Sequence, residues 1–205
     1  MAKNIIGISG VATAGKDTFA SILINKLQAA EKTVKRIALA NALKSDMDAF
    51  CDKYFGFSAF TQNIEEKTLI RPGLVWYGDA QRKRTNGRYW IDIVNKQVDV
   101  SDADFAIITD IRYSHYPKDE IDWVLKEKNG IVVHISQYLP KLVSPNGEKV
   151  FVPPANDHES LNDPKVKAQA SHRVEWERIP YSESLLSDPI LNKHVDDFIA
   201  KFKLI

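Results

Sequence analysis

Residues Ser9-Gly10-Val11-Ala12-Thr13-Ala14-Gly15-Lys16-Asp17-Thr18 constrain the fold more than any other stretch of the chain. They follow an apolar run, Ile5-Ile6-Gly7-Ile8, and open an apolar-periodic segment from Phe19 to Leu27. Strand, glycine-bounded loop and helix in that order are the signature of a phosphate-binding P-loop. Gly10 and Gly15 let the backbone curl, so that its N–H groups turn inward onto phosphate oxygens. The helix that starts at Lys16 adds free N–H groups and a positive dipole end aimed at the same anion. Lys16 adds a mobile point charge. On this reading Gly10, Ala12, Ala14, Gly15, Lys16, Asp17 and Thr18 hold a nucleoside triphosphate, with ATP as the expected donor.

The loop departs from the usual pattern at one position. A Ser or Thr normally follows the lysine and offers its hydroxyl to magnesium. Here Asp17 stands in that place, and Thr18 comes next. Successive helical residues point about 100° apart, so Thr18 cannot fill the missing role. Magnesium accepts carboxylates, which makes Asp17 a candidate ligand. A second candidate is Asp110, at the end of the apolar run Phe105-Ala106-Ile107-Ile108-Thr109. A carboxylate at the carboxyl end of a buried strand is where P-loop proteins organise Mg2+. Arg112 lies two residues on and joins Lys16 and Asp110 as a candidate catalytic residue.

Composition sets the outer limits. The 205 residues are 44% hydrophobic and 27% charged, which is ordinary for a globular domain. The net charge is +1, so nothing pulls the chain in bulk toward nucleic acid or a membrane surface. Any anion site must be local. Cys51 is the single cysteine, which excludes an internal disulfide and fits a reducing compartment, with a cytoplasmic location expected. Met1-Ala2-Lys3-Asn4 leads straight into the expected first strand, so no signal peptide is expected. No apolar run approaches the ~20 residues that span a bilayer.

The pattern alternates strands and helices along one domain, 1–205, which predicts a three-layer α/β fold with a five-stranded parallel sheet and helices on both faces. Strands are expected at 4–9, 34–38, 104–109, 131–135 and 172–176. Helices are expected at 16–30, 40–54, 64–84, 88–98, 117–128, 163–170 and 188–203, with a turn at Thr85-Asn86-Gly87 and a cap at Asn129-Gly130. Residues 138–157 hold four of the nine prolines and read as a lid or insertion. The last helix is amphipathic. Its apolar face can pack on its own domain or on a second subunit, which leaves a homodimer open. Sites in such sheets lie beyond the carboxyl ends of the strands. That draws attention to the P-loop, to Asp110-Ile111-Arg112 and to Arg178-Ile179-Pro180, where Arg178 is a positional candidate for contact with the donor's base.

A further cluster spans residues 71–90. Arg71, Arg82, Lys83, Arg84 and Arg88 alternate there with Trp76, Tyr77, Tyr89 and Trp90. Most charge runs are solvated helix faces. Guanidinium forks also bind phosphate, and aromatic faces stack on bases. The segment from about 55 to 100 is therefore the expected acceptor site, with Arg71, Trp76, Arg82, Arg84, Arg88, Trp90 and Arg112 as substrate-binding candidates. His158-Glu159 lacks the second histidine of a zinc-hydrolase motif. His134, inside a strand, reads as a hydrogen-bonded core residue.

In order along the chain, SGVATAGKDT, GLVWYGDAQRKRTNGRYWIDIV, FAIITDIRYSHYPKDE and NGIVVHI resemble the deoxynucleoside monophosphate kinases of bacteriophages and their bacterial relatives. The resemblance covers most of residues 4–180 and rests chiefly on the GKDT loop and the aspartate-x-arginine element. It implies a P-loop kinase that moves the terminal phosphoryl group of ATP onto a (deoxy)nucleoside monophosphate, with Mg2+ and no nucleic-acid partner. Lys16 and its loop would take the donor, and Arg112 with one or more of Arg71, Arg82, Arg84 and Arg88 the acceptor phosphate. Asp79, where relatives usually carry threonine, departs from the pattern. Two other readings share the loop: a kinase for another small phosphorylated acceptor, of coenzyme-precursor or phosphomevalonate type, and a nucleotide-binding module that is no kinase.

Overall fold

The computed structural model describes residues 4–143, 146–179 and 183–205. Strand β1 (Asn4–Ser9) is central and buried on both faces, as its unbroken apolar run requires. It lies parallel between β3 (Phe105–Ile111) and β4 (Ile131–Val143). Strand β2 (Val34–Ala38) extends the sheet beyond β3, and β6 (His172–Glu177) extends it beyond β4, both in parallel. These are the five expected strands, in the order β2-β3-β1-β4-β6. A sixth is added: β4 runs on to Val143 and returns as the short antiparallel β5 (Lys149–Phe151). The segment expected as a lid over 138–157 is thus partly a hairpin built on the sheet. Tyr138 and Phe151 face each other across it edge to face, at 6.3 Å between ring centroids. Its residues 144–145 lie outside the described residues.

Helices cover both faces. On one, α1 (Lys16–Ala29) turns Phe19, Ile22, Leu23 and Leu27 to the sheet. The C-terminal α7 (Pro189–Phe202) packs beside it, with Leu191, Val195, Phe198 and Ile199 in the same core. The apolar stripe of this last helix is therefore used within the chain. Asp188 caps it by accepting from the N–H groups of Ile190 and Leu191, and Pro189 takes the first helical position, where no N–H is needed.

The other face carries α2 (Leu39–Phe55), α3 (Ile64–Arg84) and α4 (Arg88–Asp99), with a core of Ile91, Val94, Val98, Ile108, Trp123 and Val132. Asn63 caps α3 through Glu65 and Glu66. The expected turn between α3 and α4 forms, with Asn86 and Gly87 both at positive φ. Cys51 is buried in a small satellite core with Ala59 and Ile70. The helix expected at 117–128 is reduced to one α-helical turn, α5 (Glu120–Asp122), that widens into a π-helical turn, Trp123–Glu127. It closes at Gly130, whose N–H donates to Val124 O at 2.8 Å.

The largest shift from expectation is α6 (Asp157–Gln169), which begins six residues before the expected start at 163. Pro164 lies inside the helix and does not mark its start. The operative signal is Asn156 followed three residues later by Glu159, a capping pair.

Phe198 is fully buried and meets Phe19 of α1 edge to face at 5.6 Å. Phe198→Ala is expected to lower the unfolding free energy by about 3–5 kcal/mol in urea melts, because the removed ring leaves a cavity between α7 and the sheet.

Candidate functional site

The loop after β1 is held by the ends of two other strands. Gly10 has φ +133°, and a Cβ there would lie 2.3 Å from the carbonyl oxygen of Ile135. Gly15 has φ +87°, and a Cβ there would lie 2.6 Å from the Trp176 indole and 2.8 Å from the Gln137 amide. Both positions need glycine for conformation and for space. In the amide orientation that satisfies its neighbours, Gln137 donates to the Thr13 carbonyl at 3.1 Å and accepts from the Trp176 indole N–H at 3.0 Å. Trp176 and Gln137 thus form the floor of the loop. Neither stands out in the sequence, since each belongs to a strand far along the chain.

Lys16 is buried, and its Nζ donates to Gly10 O at 2.9 Å and Val11 O at 2.7 Å. An ammonium has three donors, so one N–H remains for an outside anion. Burial lowers the Lys16 pKa and Arg112 lowers it further, against the opposing pull of Asp110, Glu159 and Asp17. Those four charges therefore sit around the ammonium.

At the carboxyl end of β3 the ladder slips. Ile8 pairs with Thr109 and Ser9 with Ile111, so Asp110 is an extra, bulged residue. Its φ is +69°, a left-handed conformation that aspartate tolerates better than most residues. Bulges beside functional sites re-aim a side chain. This one lets Asp110 and Arg112 face the same cavity. The Arg112 guanidinium binds Glu159 through Nη1 and approaches Asp110 through Nη2 at 3.4 Å. Burial disfavours its charge, but Asp110 and Glu159 outweigh that and hold its pKa above the ordinary value. The Arg112 N–H donates to Glu120 at 2.7 Å, which fixes the backbone here.

The resulting cavity, of about 250 Å3, opens beside Ala12 of the P-loop. One wall is aliphatic: Leu39, Leu43, Leu74 and Val75, closed by the edge of Trp90. Lys44, Arg71 and Arg112 bring positive charge, and Asp110, Glu120 and Glu159 bring negative charge. Arg71 is exposed and has no carboxylate partner among the described residues. Lys44 lies over the Phe60 ring at 5.7 Å. Of the sequence-expected residues, the cavity gathers Ala12, Arg71, Arg82, Trp90, Asp110 and Arg112.

The remainder of the 71–90 cluster does not act as one clamp. Arg82 reaches the cavity wall but is 2% exposed, because Asp119 and Glu120 claim its guanidinium at 2.6 and 2.8 Å. Its charge stacks on Tyr113 at 3.6 Å from the ring centroid. It is a structural cation, not one free for a phosphate. Burial pushes the Glu120 carboxyl up to about 7, against the pull of Arg82. Arg84 turns to Gln81 and the Tyr89 ring, and Arg88 to Asp92 and Glu127. Neither lines the cavity. Trp76 is 71% exposed and also outside it. A 3.6-residue helical period spreads these residues around α3 and the start of α4, so adjacency in sequence does not become one face.

Asp17 is exposed and ion-paired to Arg36 of β2. Arg178 is exposed, and the structure fixes its backbone, whose N–H donates to Tyr138 O at 2.8 Å. Its neighbour Ile179 lines a cavity of about 20 Å3 with Thr18, Gln137 and Trp176, at the back of the P-loop. Pro180 lies outside the described residues. His134 is buried, with Nε2 2.9 Å from Asp163, which matches the core reading. Glu159 and Lys44 are cavity residues that sequence reasoning missed, although the Asn156-x-x-Glu159 capping pair marks the first.

Among the described residues no helix is long and apolar enough to cross a membrane, and no group of three or more His, Cys, Asp or Glu side chains forms a metal cluster. No family model and no curated protein sequence matches the chain. Among solved structures, it is similar to shikimate kinase from Aquifex aeolicus, at 17% identity over 97% of this chain and 96% of that one, with a TM-score of 0.44. It is also similar to shikimate kinase from Bacteroides thetaiotaomicron, at 13% identity over 98% and 99% of the two chains, with a TM-score of 0.46. The chain's own strand order and loop geometry carry the P-loop architecture.

Removing Arg82 strands two buried carboxylates. Arg82→Leu is expected to cost about 3–5 kcal/mol in urea denaturation. Arg84→Ala, at an exposed side chain, is expected to change stability by less than about 0.5 kcal/mol.

Proposed function

We propose that this protein transfers the terminal phosphoryl group of ATP to a (deoxy)nucleoside monophosphate. The observation that carries the reading is the cavity beside Ala12 of the P-loop, which is lined by Lys44, Arg71 and Arg112 together with aliphatic side chains. A phosphorylated acceptor with an apolar or flat body suits such a space. Its phosphate would meet Arg112 beside Asp110, within the electrostatic reach of Lys16.

The chemistry needs little more from the protein. A phosphate oxygen is the nucleophile, and its second pKa of about 6 leaves it largely ionised at neutral pH. No general base is required. The obstacle is repulsion between two polyanions, which fixed cations relieve. Lys16 offers its remaining N–H to the donor. Arg112 keeps donors beyond those used on Glu159 and Asp110. Asp110 is the carboxylate suited to magnesium, which binds through one or two carboxylates together with substrate phosphates. When bound, that ion would neutralise charge on the transferring group.

The exposed position of Trp76 favours a second reading, in which the acceptor is a small phosphorylated molecule without a base. An aliphatic wall does not demand an aromatic partner.

A coupled assay with ATP, magnesium and a panel of ribo- and deoxynucleoside monophosphates separates the two readings. The expected outcome is turnover with at least one monophosphate. Turnover confined to phosphorylated non-nucleotides would replace the first reading by the second. Lys16→Ala is expected to lower kcat by about 100-fold or more with the fold retained.

The metal role is tested separately. Asp110→Asn should raise the magnesium concentration for half-maximal rate by about tenfold, as removal of a ligand does. Asp17→Asn should leave it within about threefold, since an exposed ion pair is worth little.

A further inference from the structure

Glu159 is 7% exposed, which is unusual for a carboxylate. Its Oε2 accepts from the N–H of Ala155 at 2.9 Å and from the N–H of Ala12, in the P-loop, at 3.2 Å. Its Oε1 accepts from Nη1 of Arg112. Its own N–H donates to the Asn156 side chain at 3.0 Å. One acidic side chain therefore joins three segments that are distant in sequence: the loop after β1, the end of β3 and the start of α6.

A helix cap needs only part of this. In a capping box the glutamate folds back to the N–H of the capping residue itself. Here the carboxylate passes over Asn156 to Ala155, and its remaining capacity goes to Ala12 and Arg112. Those two bonds add nothing to α6. They do add a fixed relation between the P-loop and a guanidinium whose other carboxylate partner among the described residues is Asp110 at 3.4 Å. Burial strengthens the link, because a charge pair shielded from water is little screened.

We propose that Glu159 is a positioning residue: through one carboxylate it fixes the Arg112 guanidinium against Ala12, and so sets the separation between acceptor phosphate and donor loop. The inference rests on the phosphotransfer reading above. Glu159 acts through Arg112 and does not itself bind either substrate. Phosphoryl transfer is steeply sensitive to such placement, since an error of about 1 Å costs on the order of 100-fold in rate.

The test is steady-state kinetics on the full chain for wild type, E159Q, E159D, R112K and the double variant R112K/E159Q, with urea melts on each. Direct titration with the best nucleoside monophosphate, without ATP, accompanies them. E159Q is expected to raise the KM and the Kd for the monophosphate about tenfold and to lower kcat about tenfold, while the KM for ATP moves less than about threefold. E159D keeps the charge and should recover part of the loss. In the R112K background E159Q should add less than about threefold, because both changes break one interaction. Independent, multiplicative effects of the two substitutions would overturn the proposal. So would an E159Q protein that loses stability alone with kcat and both KM values unchanged, or failure of both E159Q and E159D to fold, which would make Glu159 a residue of the fold only. A wild-type protein inactive on every monophosphate would overturn the functional reading itself, and this inference with it.

Discussion

The site depends on the close seating of the P-loop against two strand ends. Gly10 lies against the carbonyl of Ile135 in β4, and Gly15 lies against Trp176 in β6. With no side chain at either point, the loop sinks until Lys16 is buried and its ammonium is pinned to the loop's own carbonyls. The remaining charges are arranged around that buried cation. Asp110 is brought toward it by a bulge, Arg112 follows Asp110, and Glu159 closes the group from the start of α6. A shallower loop would leave the lysine in water, where its field is weak.

The arginines divide by what surrounds them. Arg82 is the most buried and the least free, since Asp119 and Glu120 neutralise it and Tyr113 stacks on it. This cluster braces the turn after β3, because Asp119 also accepts from the N–H groups of His115 and Tyr116, and Glu120 from those of Arg112 and Tyr113. A buried ion pair of this kind contributes little net stability but breaks at high cost. It is well suited to fixing a loop and poorly suited to binding a ligand. Arg112 and Arg71 take the opposite part: each faces the cavity with donors to spare.

The hairpin of β4 and β5 occupies much of the proline-rich segment that composition marked as a lid or insertion. Proline marks segments that cannot donate to a sheet interior. Here Tyr138 meets Phe151, Lys149 lies over the Tyr138 ring, and Lys167 of α6 lies over the Phe151 ring. The chain then turns back through Ala155 and Asn156 to the cavity, where α6 begins.

The sequence by itself determined the strand-loop-helix unit around Lys16, the five parallel strands and most helix positions. Each of these rests on local signals: apolar runs, 3.6-residue periodicity, and turn glycines such as Gly87. It also marked Asp110 and Arg112, because strand ends in a parallel sheet are where sites form. Only the tertiary structure decided which charges are free. Arg82 and Arg71 look alike in sequence, and the difference between them is the pair of carboxylates 37 and 38 residues away that reaches one and not the other. Likewise Asp17 is paired with Arg36, Trp76 is left in solvent by the pitch of α3, and Glu159 enters the site because Asn156 caps α6. Electrostatic partnership is a through-space property, and residue order carries almost no record of it.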